Sequence, residues 1–195
     1  MFGRKKIMLI GSVLASLAVM LLGPGAAHAG TSSAGPTGDG FGIQAGPFWW
    51  GNLAGSNSAG TRKVLDIKGD GRTDGVVVQL WTYHDRGNQL FYSIPDGGTS
   101  LWKLQGVNSH RCLDLLGPNS ANGTQVHQWN CYPSTNQRWR QEAQGTRVVL
   151  GVSLPVYRFV NQYANKCLDN TLGSGTDGNK IQIWTCNGSD NQLWF

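Results

Sequence analysis

From Pro47 onward, aromatic and β-branched residues come in short runs separated by Gly, Asn, Asp and Ser, and no run keeps a helical period. That texture predicts many short strands joined by turns. Alternation sorts their faces. In Val78, Gln79, Leu80 and Trp81 the aliphatic pair shares one side, and Gln79 shares the other with Trp81. Ile181 to Trp184 repeats the arrangement. Val126 to Trp129 keeps it too, except that Gln128 stands where the others carry Leu80 and Ile183 and needs a partner if buried. The aliphatic side is expected to face the core, and the three indoles to face outward.

The strands belong to a skeleton written three times. From Asp66, Trp81 lies 15 residues on, Asn88 22, Gln89 23 and Phe91 25. Asp114 has Trp129, Asn136, Gln137 and Trp139 at the same offsets, and Asp169 has Trp184, Asn191, Gln192 and Trp194. Self-similarity of this kind marks a fold built from one repeated supersecondary unit. The spacers differ, with 22 residues from Phe91 to Leu113 against 29 from Trp139 to Leu168. The seven extra residues are expected around Gln144 to Ala164 as a longer surface loop. The strand after Asn191 stops at Phe195, which predicts a frayed end.

Residues 1–29 read as a signal peptide, with Arg4, Lys5 and Lys6 before an apolar run and Ala27-His28-Ala29 as the cleavage site. The run from Ile7 to Leu22 is 16 residues, shorter than a spanning helix prefers. The expected product is secreted and extracellular, with no membrane residence after cleavage. Residues 30–46 are Gly/Ser/Thr-rich and read as a flexible tether. Residues 47–195 form the folded part, with repeats at about 47–96, 97–143 and 144–195. The signal peptide carries three of the 16 basic residues and none of the 11 acidic ones, leaving 13 against 11. A net charge of +2 supplies no basic stripe for nucleic acid.

Four cysteines allow three connectivities. Cys112 and Cys131 are 19 apart, as are Cys167 and Cys186, and each pair flanks its repeat in the same way. Disulfides Cys112–Cys131 and Cys167–Cys186 are therefore expected in an exported chain. Metal binding is the alternative, and no C-x-x-C or His pair supports it. The first repeat has Val64 and Tyr83 at these positions and must rely on packing.

Three blocks of LD…(V/I)-x-x-W-x-(C/Y)…N-Q-x-(W/F) resemble the ricin B-chain-like β-trefoil, also seen in bacterial carbohydrate-binding modules of xylan- and galactan-degrading enzymes. The resemblance covers about residues 47–195. It implies an all-β, pseudo-threefold barrel capped by three hairpins, with one shallow sugar pocket per repeat. Phe91, Trp139 and Trp194 would then meet Leu65, Leu113 and Leu168 as core near the axis. Trp81, Trp129 and Trp184 would be stacking platforms for a pyranose, whose C–H groups suit the negative face of an aromatic ring; the plainer reading is a half-buried barrel residue.

The same resemblance places Asp66, Asp114 and Asp169 beside the platforms, where a carboxylate accepts from two sugar hydroxyls, or else stabilises a turn. It adds Asn88, Asn136 and Asn191 to the sugar contacts. His84, Tyr132 and Asn187, three residues beyond each platform, complete the expected sites. Gln89, Gln137 and Gln192 are expected to brace the loops, and Gln79, His127 and Gln182 to reach in from the pocket wall. Replacing Trp81 or Asp66 by Ala is expected to reduce polysaccharide retention without unfolding the domain.

An enzyme reading fits poorly. Glycoside hydrolysis uses two carboxylates astride the bond, whereas Glu142 is the single Glu and lies outside any motif. No G-x-S-x-G, H-E-x-x-H or G-x-x-x-x-G-K-[ST] occurs. No cofactor or metal is implied. The expected partner is a carbohydrate with galactose-, arabinose- or xylose-type units; the competing reading is a secreted β-trefoil that binds a protein as inhibitor or adhesin.

Overall fold

The computed structural model describes residues 45–96, 101–117 and 119–195. The expected signal peptide and the tether up to residue 44 lie outside the described residues. The last two tether positions, Ala45 and Gly46, instead belong to a strand, β1 (Ala45–Phe48), which pairs with β4 (Phe91–Pro95). The pairing supplies partners for their backbone, so the folded part starts two residues earlier than composition suggests.

A ring of strands forms the barrel. After β4, β5 (Leu101–Gly106) pairs with it and with β8 (Trp139–Val149), and β8 pairs with β9 (Val152–Asn161). The ring closes through the end of the chain. Tyr157 of β9 bridges Trp194, Trp194 bridges Asn52, and the backbones of Gly51 and Phe195 exchange two hydrogen bonds of 2.9 Å. The expected fraying is thus overturned: a strand too short to stand alone is held between two partners.

Three hairpins cap the ring: β2 (Lys63–Ile67) with β3 (Val78–Thr82), β6 (Arg111–Leu115) with β7 (Val126–Asn130), and β10 (Lys166–Asn170) with β11 (Asn179–Trp184). This is a β-trefoil, with one cap hairpin per repeat. The caps touch in a cycle, Asn179 against Leu80, Val77 against His127 and Gln125 against Gln182. Where they converge, the two N–H groups of Gln125 Nε2 are shared among the carbonyls of Val78, Val126 and Ile181 at 2.9–3.0 Å, one equivalent carbonyl from each repeat.

The core follows the alternation. Phe91, Trp139, Trp194, Leu65, Leu113 and Leu168 are fully buried in one cluster with the inward Val78, Leu80, Val126, Ile181 and Ile183. Trp139 and Trp194 donate their indole N–H to Leu113 and Leu168 carbonyls at 3.2 and 3.1 Å, which satisfies the polar atom of each buried ring. Gln128, buried in the place of an aliphatic residue, donates to Gly71 and Thr73 carbonyls at 2.8 and 2.9 Å.

Two elements differ from expectation. The extra length around Gln144 to Ala164 is mostly strand, since β8 and β9 extend past the barrel as a long hairpin. Leu150 and Gly151, both at positive φ (49° and 83°), make its two-residue turn, the geometry that matches strand twist. A short helix, α1 (Leu53–Ala59), was not legible in two turns of Gly, Ser and Ala. Asn52 caps it by accepting from the Gly55 N–H at 2.9 Å, and Leu53 is buried beneath it.

Candidate functional site

Each cap hairpin sets an Asp of its first strand opposite a Gln or His of its second: Asp66 and Gln79, Asp114 and His127, Asp169 and Gln182. Two residues further along, on the same face, stand Trp81, Trp129 and Trp184. They are 37%, 41% and 40% exposed, while their aliphatic neighbours are fully buried. The indoles point outward, as the alternation predicts.

The carboxylates are more enclosed than expected. Asp66 Oδ1 accepts from Gln79 Nε2 at 2.9 Å, and Oδ2 accepts from Asn88 Nδ2 at 2.8 Å and Gln89 Nε2 at 3.0 Å. Asp169 takes Gln182 at 3.0 Å, Asn191 at 2.7 Å and Gln192 at 3.0 Å in the same way. Asp114 Oδ1 accepts from Asn136 and lies 3.8 Å from His127 Nε2, while its Oδ2 accepts from Gln137 at 2.6 Å. A carboxylate has about four acceptor sites. Three are filled on Asp66 and Asp169, so about one is left for an outside hydroxyl rather than two.

Burial pushes the Asp66 and Asp169 carboxyls above their ordinary value, and the amide bonds, joined for Asp66 by the His84 charge, only partly offset it. Asp66→Ala would take one acceptor from each of three buried amides, of which Asn88 keeps the Ile67 carbonyl and Gln89 the Thr82 carbonyl.

Gln89, Gln137 and Gln192 also reach the backbone of their loops. Gln89 Oε1 accepts the His84 N–H at 2.9 Å, and Gln137 and Gln192 accept those of Tyr132 and Asn187 at 3.0 Å. The loop residues themselves divide. His84 Nε2 reaches within 3.6 Å of Asp66, and Tyr132 Oη accepts from Asn136 at 3.0 Å. Asn187 Oδ1 instead accepts from the Ser189 N–H at 3.0 Å and closes its own turn.

In the second repeat these side chains enclose a cavity of about 450 Å³, lined by Asp114, His127, Trp129, Tyr132 and Asn136 and by Tyr163 of the third repeat. His127 stacks on Trp129, with centroids 5.5 Å apart and planes 27° apart, which widens the aromatic floor. Tyr163 lies outside the repeated skeleton, so its spacing carried no signal.

Sequence reasoning also missed what holds the platforms from behind. Asp177 Oδ1 accepts from the Thr82 N–H at 2.7 Å, Asp74 Oδ1 from the Asn130 N–H at 2.8 Å, and Asn122 Oδ1 from the Thr185 N–H at 2.9 Å. Each acceptor belongs to one repeat and each donor, next to a platform Trp, to another. The glycine after each acceptor (Gly178, Gly75, Gly123) has a φ of 82–87°, and a Cβ there would lie 3.8–3.9 Å from the same indole. Lys63 and Arg111 add ion pairs of 2.7 and 2.6 Å to Asp177 and Asp74, while neutral Asn122 offers Lys166 no counter-charge. The signal was present: an Asp or Asn followed by Gly, eight and nine residues beyond each anchoring Asp.

Both expected disulfides, Cys112–Cys131 and Cys167–Cys186, are formed. Cys112 and Cys167 lie directly opposite Trp129 and Trp184, where the first repeat sets Val64 opposite Trp81. Glu142 lies on the long hairpin between Arg140 and Arg158, whose bonds hold its carboxyl below the usual value. Among the described residues no three His, Cys, Asp or Glu side chains are grouped to hold a metal ion.

Among characterised proteins, the chain is 29% identical to serine protease 1 of Rarobacter faecitabidus, over 54% of this chain and 28% of the protease, so it spans well under half of that relative's length. ThreeFoil, a designed threefold-symmetric protein, superposes with a TM-score of 0.63 at 27% identity, over 74% of this chain and 95% of its own. A ricin B-like lectin of Macrolepiota procera, solved with lactose, superposes with a TM-score of 0.56 at 19% identity, over 81% and 96%. The ricin-type β-trefoil lectin domain-like family matches residues 56–129, 87–154 and 135–195. Each match takes in parts of more than one repeat, and together they span the described fold from α1 to its last residue: the chain belongs to the ricin-type β-trefoil lectin domain-like family.

Proposed function

We propose that this chain is an exported, non-catalytic carbohydrate-binding protein whose three repeats each present a shallow cup for one sugar unit. The carrying observation is the threefold recurrence of an outward indole beside an Asp–Asn–Gln hydrogen-bonded cluster. The indole stacks on the apolar face of a galactose-, arabinose- or xylose-type ring. The remaining carboxylate acceptor and the Asn amide take its hydroxyls, joined by His84 in the first cup and Tyr132 in the second. Family membership supports the sugar class. The second cup has aromatic side chains on several sides, Trp129, Tyr132 and Tyr163.

A single platform with a few hydrogen bonds binds weakly, with a Kd of roughly 1 mM. Three cups on one rigid body give a branched or insoluble polysaccharide avidity where their spacing permits. The test is retention on a panel of cell-wall polysaccharides by the wild type and by a Trp81→Ala, Trp129→Ala, Trp184→Ala triple variant. Loss of retention with an unchanged circular dichroism spectrum is expected. Equal retention by the folded triple variant would remove the cups from the account and favour a protein partner.

A further inference from the structure

Asn followed by Gly occurs twice in the chain, at Asn122–Gly123 and Asn187–Gly188. Such a pair can lose its side-chain ammonia without an enzyme. The glycine amide nitrogen, once it gives its proton to solvent, attacks the Asn Cγ, and glycine has no Cβ to shield that nitrogen. The N–Cγ bond forms, the Cγ–Nδ2 bond breaks, and ammonia leaves with a proton taken from water. A cyclic imide remains, which water opens to aspartate or isoaspartate. The balance is one water consumed and one ammonia released, with no change of oxidation state.

Both asparagines are exposed, so access does not separate them. Nor does the electrophile. Asn122 Oδ1 accepts from the Thr185 N–H at 2.9 Å and from its hydroxyl at 3.1 Å, and Asn187 Oδ1 accepts from the Ser189 N–H at 3.0 Å. A donor on that oxygen favours the negative charge it acquires when Cγ is attacked.

The nucleophile does separate them. The Gly123 N–H donates to the Ile183 carbonyl at 2.9 Å, so freeing that nitrogen requires opening the contact between two cap hairpins. The Asn187–Gly188 peptide lies between the end of β11 and the 3-10 turn Asp190–Gln192, outside any strand. Neither of its ends, the Asn187 carbonyl or the Gly188 N–H, has a hydrogen-bond partner among the described residues. A Cβ at Gly188 would meet nothing within 4 Å, so the peptide has room to turn.

We infer that Asn187 is a site of spontaneous deamidation in the folded protein, while the fold protects Asn122. The conversion is confined to the third repeat, because the first two carry His84 and Tyr132 at the position of Asn187. It adds a carboxylate to the loop that Gln192 holds through the Asn187 N–H, and as isoaspartate it also lengthens the backbone there by a methylene.

The test incubates the full chain, disulfides intact, at mildly alkaline pH and maps its peptides by mass for replacement of the side-chain nitrogen by oxygen. The same chain, reduced and unfolded in guanidinium chloride, gives the reference rate of each pair. Unfolded, the two pairs should convert at similar rates. In the folded chain Asn187 should stay within about threefold of its reference, while Asn122 should slow about tenfold or more. Labelling of the folded, aged chain by an isoaspartate-specific methyltransferase should mark the Asn187 peptide and spare that of Asn122. Equal rates at the two sites in the folded chain, or slowing of Asn187 about tenfold on folding, would overturn the assignment. None of these outcomes depends on whether the cups bind sugar.

Discussion

The Thr82 N–H donates to the Asp177 carboxylate across 2.7 Å, although the two residues stand 95 positions apart. Thr82 follows the first platform, and Asp177 belongs to the third repeat. The neighbourhood of each indole is therefore completed by a different repeat from the one that supplies it, and the three dependencies form a cycle.

That cycle makes mutational effects appear away from the mutated repeat. Asp177→Ala should weaken binding at the first cup, and Asp74→Ala at the second, while the cup of the mutated repeat is unchanged. Asp177 is about a third exposed and loses bonds to Thr82 and Lys63, so a cost of about 1–2 kcal/mol is expected. Ligand-induced shifts at each platform indole, read separately, check the assignment.

Acid should weaken binding at the first and third cups before it unfolds the domain. The raised Asp66 and Asp169 carboxyls take up protons early as pH falls, and each then loses an acceptor for sugar. Because their folded values lie above the unfolded ones, this protonation does not remove folding stability. Asp177 is the opposite case. Burial alone would raise its carboxyl, but bonds from Lys63 and Thr82 outweigh that and hold it low, so its stabilisation is lost only as pH falls through the lowered value. Retention and tryptophan fluorescence followed together through an acid titration should show two separate transitions.

The inner and outer indoles should respond differently to truncation. Trp139→Ala leaves a cavity on the barrel axis and an unpaired Leu113 carbonyl, at a cost of about 3–5 kcal/mol. Trp129→Ala, at a half-exposed position, should cost about 1–2 kcal/mol. Urea midpoints of the two variants settle the comparison.

Reduction should loosen two repeats and spare one. Each bridge closes a loop of 19 residues, worth about 3 kcal/mol in the chain-entropy account. Hydrogen exchange after reduction should accelerate in β6–β7 and β10–β11, while β2–β3 keeps its protection.

Much of this was legible in the chain because repetition multiplies a weak signal. One Asp with a Trp 15 residues on means little; three copies located the hairpins, the core rings and both bridges. What escaped lay off the repeated skeleton or ran across repeats. Tyr163 enters the second cup from a turn outside the block. The Asp–Gly pairs did recur at a fixed offset, but their partners sit in another repeat, and spacing along one chain does not reveal contacts around a ring. The enclosure of Asp66 was hidden as well, since sequence showed its neighbours without showing that they would occupy its oxygens. The long hairpin looked like a loop because it showed only as extra length between two blocks, outside the repeated pattern that marks the other strands.

Gln125 brings one amide nitrogen to three equivalent carbonyls at the meeting point of the caps. A single point has room for one such group, so a strictly triplicated version of this chain would crowd three copies there or supply none. The corresponding residues are Val77 and Lys180. The amide at this place is thus available only to a chain whose copies differ, and a strictly threefold version would have to leave these carbonyls to other partners.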